Sequence, residues 1–133
     1  MKYSPVQNYI NGKFVDASSQ RTLDVISPLD GNLLSTVPMS TAKDLDDAVK
    51  ADKEAFRKWS KTTIKERVQV FFRYKTLLEK HLIELSELVQ EENGKTYSEA
   101  VAEVEKSIEL TEFATSLPQL VTGEILEVSR GVE

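Results

Sequence analysis

The chain contains no cysteine. That excludes disulfides, thiolate metal sites and a cysteine nucleophile within it. It has one histidine, His81, so any Ser-His-Asp triad would have to use that residue, and a zinc site would need an unusual set of carboxylates. The glycine pattern G-x-G-x-x-G, which brings backbone close to a dinucleotide pyrophosphate, is absent. No apolar run approaches the length of a membrane span. The start, Met1-Lys2-Tyr3-Ser4-Pro5, has one positive charge and no apolar core, unlike a secretory signal, so a cytoplasmic protein is the expectation. Excess positive charge is missing too. The net charge is -5, which argues against broad nucleic-acid binding.

What is present suits a folded chain. Of 133 residues, 40% are hydrophobic and 29% charged, enough for one domain with a modest core. The first third reads as short strands. Tyr9-Ile10, Asn11-Gly12 and Lys13-Phe14-Val15 form a hairpin signal, because Asn-Gly suits the two positive-φ positions of a type I′ turn. Thr22 to Ser27 and Leu33 to Val37 form a second pair around a turn at Pro28 to Gly31, with Pro38 as its end.

Helix signals follow. Thr41-Ala42-Lys43-Asp44 is a capping box, and Leu45, Ala48, Val49, Asp52, Phe56 and Trp59 follow at helical spacing, which predicts one buried face. Thr63-Ile64-Lys65-Glu66 opens a second helix with the row Ile64, Val68, Phe71, Leu78, Leu82, Leu85 and Val89. Asn93-Gly94 closes it, which predicts one rod from Thr63 to Asn93 of about 45 Å. Thr96-Tyr97-Ser98-Glu99 opens a third helix, Ser98 to Ser116, with Val101, Val104, Ile108 and Leu117 inward and Pro118 breaking the pattern. A final strand is expected from Glu124 to Ser129, with no partner before Glu133, a hint of truncation.

Several constellations resemble chemistry and reduce to structure. Asn93-Gly94-Lys95-Thr96 ends like a phosphate-binding loop. The spacing fails, since Val89 stands where the first glycine belongs, and the preceding element is a helix. A C-cap followed by an N-cap explains it. Glu91, Glu92, Glu99, Glu103 and Glu105 make an acidic cluster without the Glu-x-x-His of a di-metal bundle, so it reads as a solvated face. His81 sits at the margin of the apolar row and reads as a boundary residue. Trp59, Phe56, Phe71 and Phe72 read as core or interface packing. Asn8, Asn11, Asn32 and Asn93 read as turn and cap residues.

The order of these pieces resembles the start of an aldehyde dehydrogenase. The matching pieces are Tyr9-Ile10-Asn11-Gly12-Lys13-Phe14-Val15, Ile26-Ser27-Pro28-Leu29-Asp30-Gly31, Val37-Pro38 and Ala55-Phe56 before Trp59. Glu92-Asn93-Gly94-Lys95-Thr96 and Glu103-Val104 follow. The stretch Thr115 to Glu124, with Phe72-Arg73-Tyr74, is similar to the CoA-acylating methylmalonate-semialdehyde dehydrogenases. That subfamily carries an Arg toward the substrate carboxylate where this chain has Lys106, which keeps the charge and loses the bidentate fork.

The resemblance implies an α/β parent fold, with residues 1–133 an incomplete part of the N-terminal coenzyme-binding domain and residues 124–129 the start of an oligomerisation strand region. Within that part it implies N-terminal β-hairpins, three long helices and a final strand. It implies oxidation of an aldehyde, methylmalonate or malonate semialdehyde, with NAD or NADP and CoA, in a homo-oligomer. A cysteine thiolate would attack the aldehyde, an Asn side chain and a backbone N–H would hold the oxyanion, and a Glu-activated water or CoA would cleave the thioester. The resemblance places those groups beyond Glu133. It assigns no catalytic, cofactor-binding or metal-binding residue here, and Lys106 alone is a candidate, at the substrate entrance. The chain by itself is expected to be inactive, to bind no coenzyme, and to self-associate or be marginal through helix faces meant for an absent sheet. Two other readings compete, a non-acylating aldehyde dehydrogenase and a stand-alone helical interaction module.

Overall fold

A computed structural model describes residues 1–123. The strand expected at 124–129 lies outside the described residues.

β1 (Asn8–Ile10) and β2 (Lys13–Val15) pair antiparallel, with Tyr9 opposite Phe14. Asn11 and Gly12 between them take φ of 51° and 74°, as the Asn-Gly turn requires. β3 (Thr22–Ile26) and β4 (Leu33–Pro38) form a separate antiparallel pair with a register shift at Val25/Ile26. Its turn is closed by the Asp30 carboxylate, which accepts from the Asn32 backbone N–H at 3.0 Å and its Nδ2 at 2.8 Å. The N-terminal segment covers the free edge of β4. Lys2 and Tyr3 donate backbone N–H groups to the Leu34 carbonyl, and Val6 donates to Thr36. That edge is therefore not open to another strand.

The helical part holds α1 (Ala42–Trp59), α2 (Ile64–Lys80), α3 (Leu82–Asn93), α4 (Tyr97–Ala114) and the short α5 (Leu117–Leu120). All three capping boxes form. Thr41, Thr63 and Thr96 each donate a backbone N–H to the carboxylate three residues on, at 2.7, 3.1 and 3.0 Å. Gly94 ends α3 in the left-handed conformation, φ 71°, and Thr96 begins α4 at once. The sequence Asn-Gly-Lys-Thr is thus a cap junction.

The single rod expected from Thr63 to Asn93 is two helices. His81, with φ -104° and ψ 16°, interrupts it. α2 and α3 both pack on α4, which at 18 residues is about 27 Å long. A straight 45 Å rod would overrun that partner. The break lets both halves lie against one helix, and histidine is among the weaker helix formers. Pro118 does not simply end the pattern either; it occupies the first turn of α5, where its missing N–H costs nothing.

The core sits between α2, α3 and α4. Val68, Ala100 and Val104 are buried there, Leu34 is buried on β4, and Ser86 and Ala100 are fully enclosed. Small side chains at these positions allow α3 and α4 to approach closely. Ser86 is satisfied by donating to the Leu82 carbonyl at 2.7 Å.

α1 corrects the second helical expectation. Its apolar face is not buried: Leu45 is 64% exposed, Val49 41%, Phe56 64% and Trp59 44%. The one substantial contact of α1 among the described elements is with β1. The apolar periodicity is present, and among the described residues only β1, beside Leu45 and Ala48, and the Arg67 guanidinium, 5.6 Å from the Trp59 ring, lie near it.

Candidate functional site

The functional candidate from the sequence, Lys106, lies in the middle of α4. Its neighbours Val104 and Ile108 turn inward, so Lys106 faces outward and is exposed. Its Nζ donates to Glu109 Oε2 at 2.8 Å, one turn on. Leu110 and Phe113, at i+4 and i+7, share its face and are exposed. Sequence reading passed over these two because they fall off the buried row. Their spacing from Lys106 was the signal that marked them. A cation beside apolar surface is chemistry that suits a small organic anion: the ammonium takes a carboxylate and Leu110 and Phe113 take carbon.

The acidic cluster is distributed among structural tasks. Glu91 takes the Lys2 ammonium and the Tyr3 hydroxyl, the latter at 2.8 Å, and ties the N-terminus to α3. These donors hold its carboxyl below the usual range. Glu99 caps α4, and Glu103 pairs with Lys95. Glu91 and Glu99 are therefore engaged in contacts and are not simply solvated. His81 donates or accepts at Nδ1 with Glu84 Oε2, 2.8 Å away, half-buried at the α2–α3 junction. Asn11 and Asn32 serve turns and Asn93 ends α3, whereas Asn8 is no turn or cap residue: it begins β1, and its Oδ1 accepts from Ser40 Oγ.

The most extensive polar cluster centres on Asp44. Its carboxylate accepts from the Ser18 N–H and Oγ, at 2.8 and 2.9 Å, and from the Thr41 N–H and Oγ1, at 2.7 and 2.9 Å. Those hydrogen bonds, the backbone ones first, push its pKa far below the ordinary carboxylate value. The cluster joins the 16–20 loop to the start of α1.

Helix N-termini are natural seats for phosphate. Here the N-termini of α1, α2 and α4 hold Asp44, Glu66 and Glu99, each a carboxylate in the first turn. Negative charge in those seats repels a pyrophosphate, and α3 follows α2 with one residue between. These helix starts are therefore unsuited to a phosphate.

Comparison with known proteins decides the family. The aldehyde dehydrogenase family model matches residues 14–133. The chain belongs to the aldehyde dehydrogenase family. It is 45% identical over 129 residues to malonate-semialdehyde dehydrogenase 1 of Geobacillus thermodenitrificans, covering 96% of this chain and 27% of that protein. Its fold superposes on methylmalonate-semialdehyde dehydrogenase of Oceanimonas doudoroffii with a TM-score of 0.90 and 32% identity, over 97% of this chain and 26% of that one. An NAD-dependent benzaldehyde dehydrogenase of Corynebacterium glutamicum gives 0.87 and 29%, over 95% and 28%. The chain thus spans about a quarter of the length of the relatives it matches. The α/β aldehyde dehydrogenase fold and the likeness to semialdehyde dehydrogenases stand as the sequence suggested. Among the described residues no helix is long and apolar enough to cross a membrane.

Proposed function

We propose that this chain is the structural opening of a cytoplasmic aldehyde dehydrogenase that oxidises malonate or methylmalonate semialdehyde with NAD or NADP, and that Lys106 binds the substrate's carboxylate at the entrance. The observation that carries this is the exposed Lys106–Leu110–Phe113 face of α4, in a chain 45% identical to a malonate-semialdehyde dehydrogenase. A semialdehyde of this class ends in a carboxylate, and an ammonium on an open helix face is its natural counter-charge. Residues 1–133 serve as part of the coenzyme domain, and residues 124–129 begin a strand region that joins subunits of a homo-oligomer. The remaining polypeptide supplies the nucleophile and holds the coenzyme, which accepts hydride when bound. The carboxylate-capped helix starts of this chain support that division.

Lys106 here is a binding residue. In the longer polypeptide that contains this chain, Lys106→Ala is expected to raise KM for malonate semialdehyde by about 10- to 100-fold, the worth of a charge-assisted hydrogen bond. A neutral aldehyde should lose nothing, and Lys106→Arg should keep or improve affinity. An equal loss for both substrates would remove Lys106 from recognition. Dependence of coenzyme reduction on CoA separates the acylating reaction, which the Thr115–Glu124 likeness favours, from simple hydrolysis.

A further inference from the structure

We propose that Glu109 holds the place of the substrate's carboxylate on Lys106 until the anionic aldehyde displaces it, and so sets how tightly a semialdehyde binds. The proposal rests on the reading of Lys106 given above and adds a positioning residue to it.

Two carboxylates lie one turn from Lys106 along α4, Glu103 before it and Glu109 after it. Glu103 is engaged by Lys95. Glu109 Oε2 accepts from the Lys106 Nζ at 2.8 Å. Glu105, exposed one residue before Lys106, takes no part in the pair. An ammonium is a compact point charge with rotatable donors, so one carboxylate can replace another on it.

The pair is weak enough to be exchanged. Lys106 is bonded to a single carboxylate, and its side chain is 60% exposed. Lys75 shows the opposite case: Glu79 and Glu112 both grip it at 3.1 Å, and its side chain is 26% exposed. Lys75 is thus a fixed tie between α2 and α4, whereas water already reaches the Lys106–Glu109 pair. A lysine that precedes its acid along a helix is also the less favourable order. Exposed pairs of this kind shift an equilibrium by at most about fivefold. A substrate carboxylate therefore replaces Glu109 readily, and Glu109 raises KM by a factor of that size. A neutral aldehyde leaves the pair in place.

Steady-state kinetics of the longer polypeptide test this, with malonate semialdehyde and with propanal, its neutral counterpart of equal carbon number. Glu109→Gln should lower KM for malonate semialdehyde about two- to fivefold, with kcat unchanged and KM for propanal unmoved. In a Lys106→Ala background the same change should do nothing, because Glu109 acts through that ammonium. Glu105→Gln removes the same charge from a neighbour outside the pair and should have no effect. An unchanged KM in Glu109→Gln, beside a selective loss in Lys106→Ala, would overturn the proposal and leave the role of Lys106 standing. A gain that persists without Lys106, or that Glu105→Gln reproduces, would overturn it too, since Glu109 would then act by repulsion alone. No loss in Lys106→Ala with malonate semialdehyde would remove Lys106 from recognition, and this proposal with it.

Discussion

At the residue scale, single side chains hold the layers in place. Gly94 has φ 71°, and a Cβ there would meet Pro28 Cγ at 2.9 Å. Gly94→Ala therefore combines backbone strain with a clash against the β3–β4 turn. A loss of about 1–3 kcal/mol is expected in urea unfolding. The glycine's cap role was legible from Asn-Gly after a helical row; its contact with Pro28 was not, because 66 positions of chain separate the two. Asp44 gives a pH signature. Its folded pKa lies below its unfolded value of about 4, so its contribution is present above that pH and fades as pH falls toward the folded value. The melting temperature should drop on acidification below about pH 4. Asp44→Asn should be less stable at neutral pH and show a flatter acid limb. An unchanged limb in the variant would place the acid sensitivity elsewhere. The Asp44 capping role was readable from Thr41-x-x-Asp44. The grip on Ser18 was not, since nothing local in the sequence announces a loop folding back onto a cap.

At the element scale, starts were far more legible than lengths. Capping boxes are local chemistry, so Thr41, Thr63 and Thr96 marked α1, α2 and α4 within a residue. Thr96→Ala is expected to cost about 1 kcal/mol, with Glu99 left as half a box. The break at His81 was hidden because the apolar row runs through it unperturbed; the row records which residues face α4, and both halves do. Periodicity likewise marked an apolar face on α1 but misplaced it in the core, since the structure leaves that face exposed. A 3.6-residue pattern reports that a face is meant for contact and is silent on which surface provides it. The structure converts this into a dynamic expectation. Hydrogen exchange should find mid-helix amides of α1 less protected than those of α4, whose Ala100 and Val104 are buried. Equal protection in the two helices would contradict a lightly attached α1.

At the scale of the whole molecule, the candidate site was legible only through family resemblance. Composition and motif searches excluded most chemistries and left Lys106 as one cation among many. The fold then added Leu110 and Phe113 to its face. What the chain offers is a well-capped helical layer, two small hairpins and an open α4 face carrying Lys106, Leu110 and Phe113, with its first-turn carboxylates unsuited to a coenzyme's phosphates. The central claim is that these residues contribute structure and substrate recognition to a dehydrogenase whose chemistry is done elsewhere in the polypeptide. Absorbance of reduced nicotinamide tests it directly, with malonate or methylmalonate semialdehyde, CoA and NAD or NADP supplied to the longer polypeptide and to residues 1–133 alone. The account predicts coenzyme reduction by the longer polypeptide and none by the 133-residue chain. Reduction by the short chain, or none by the long one with either semialdehyde, would contradict it.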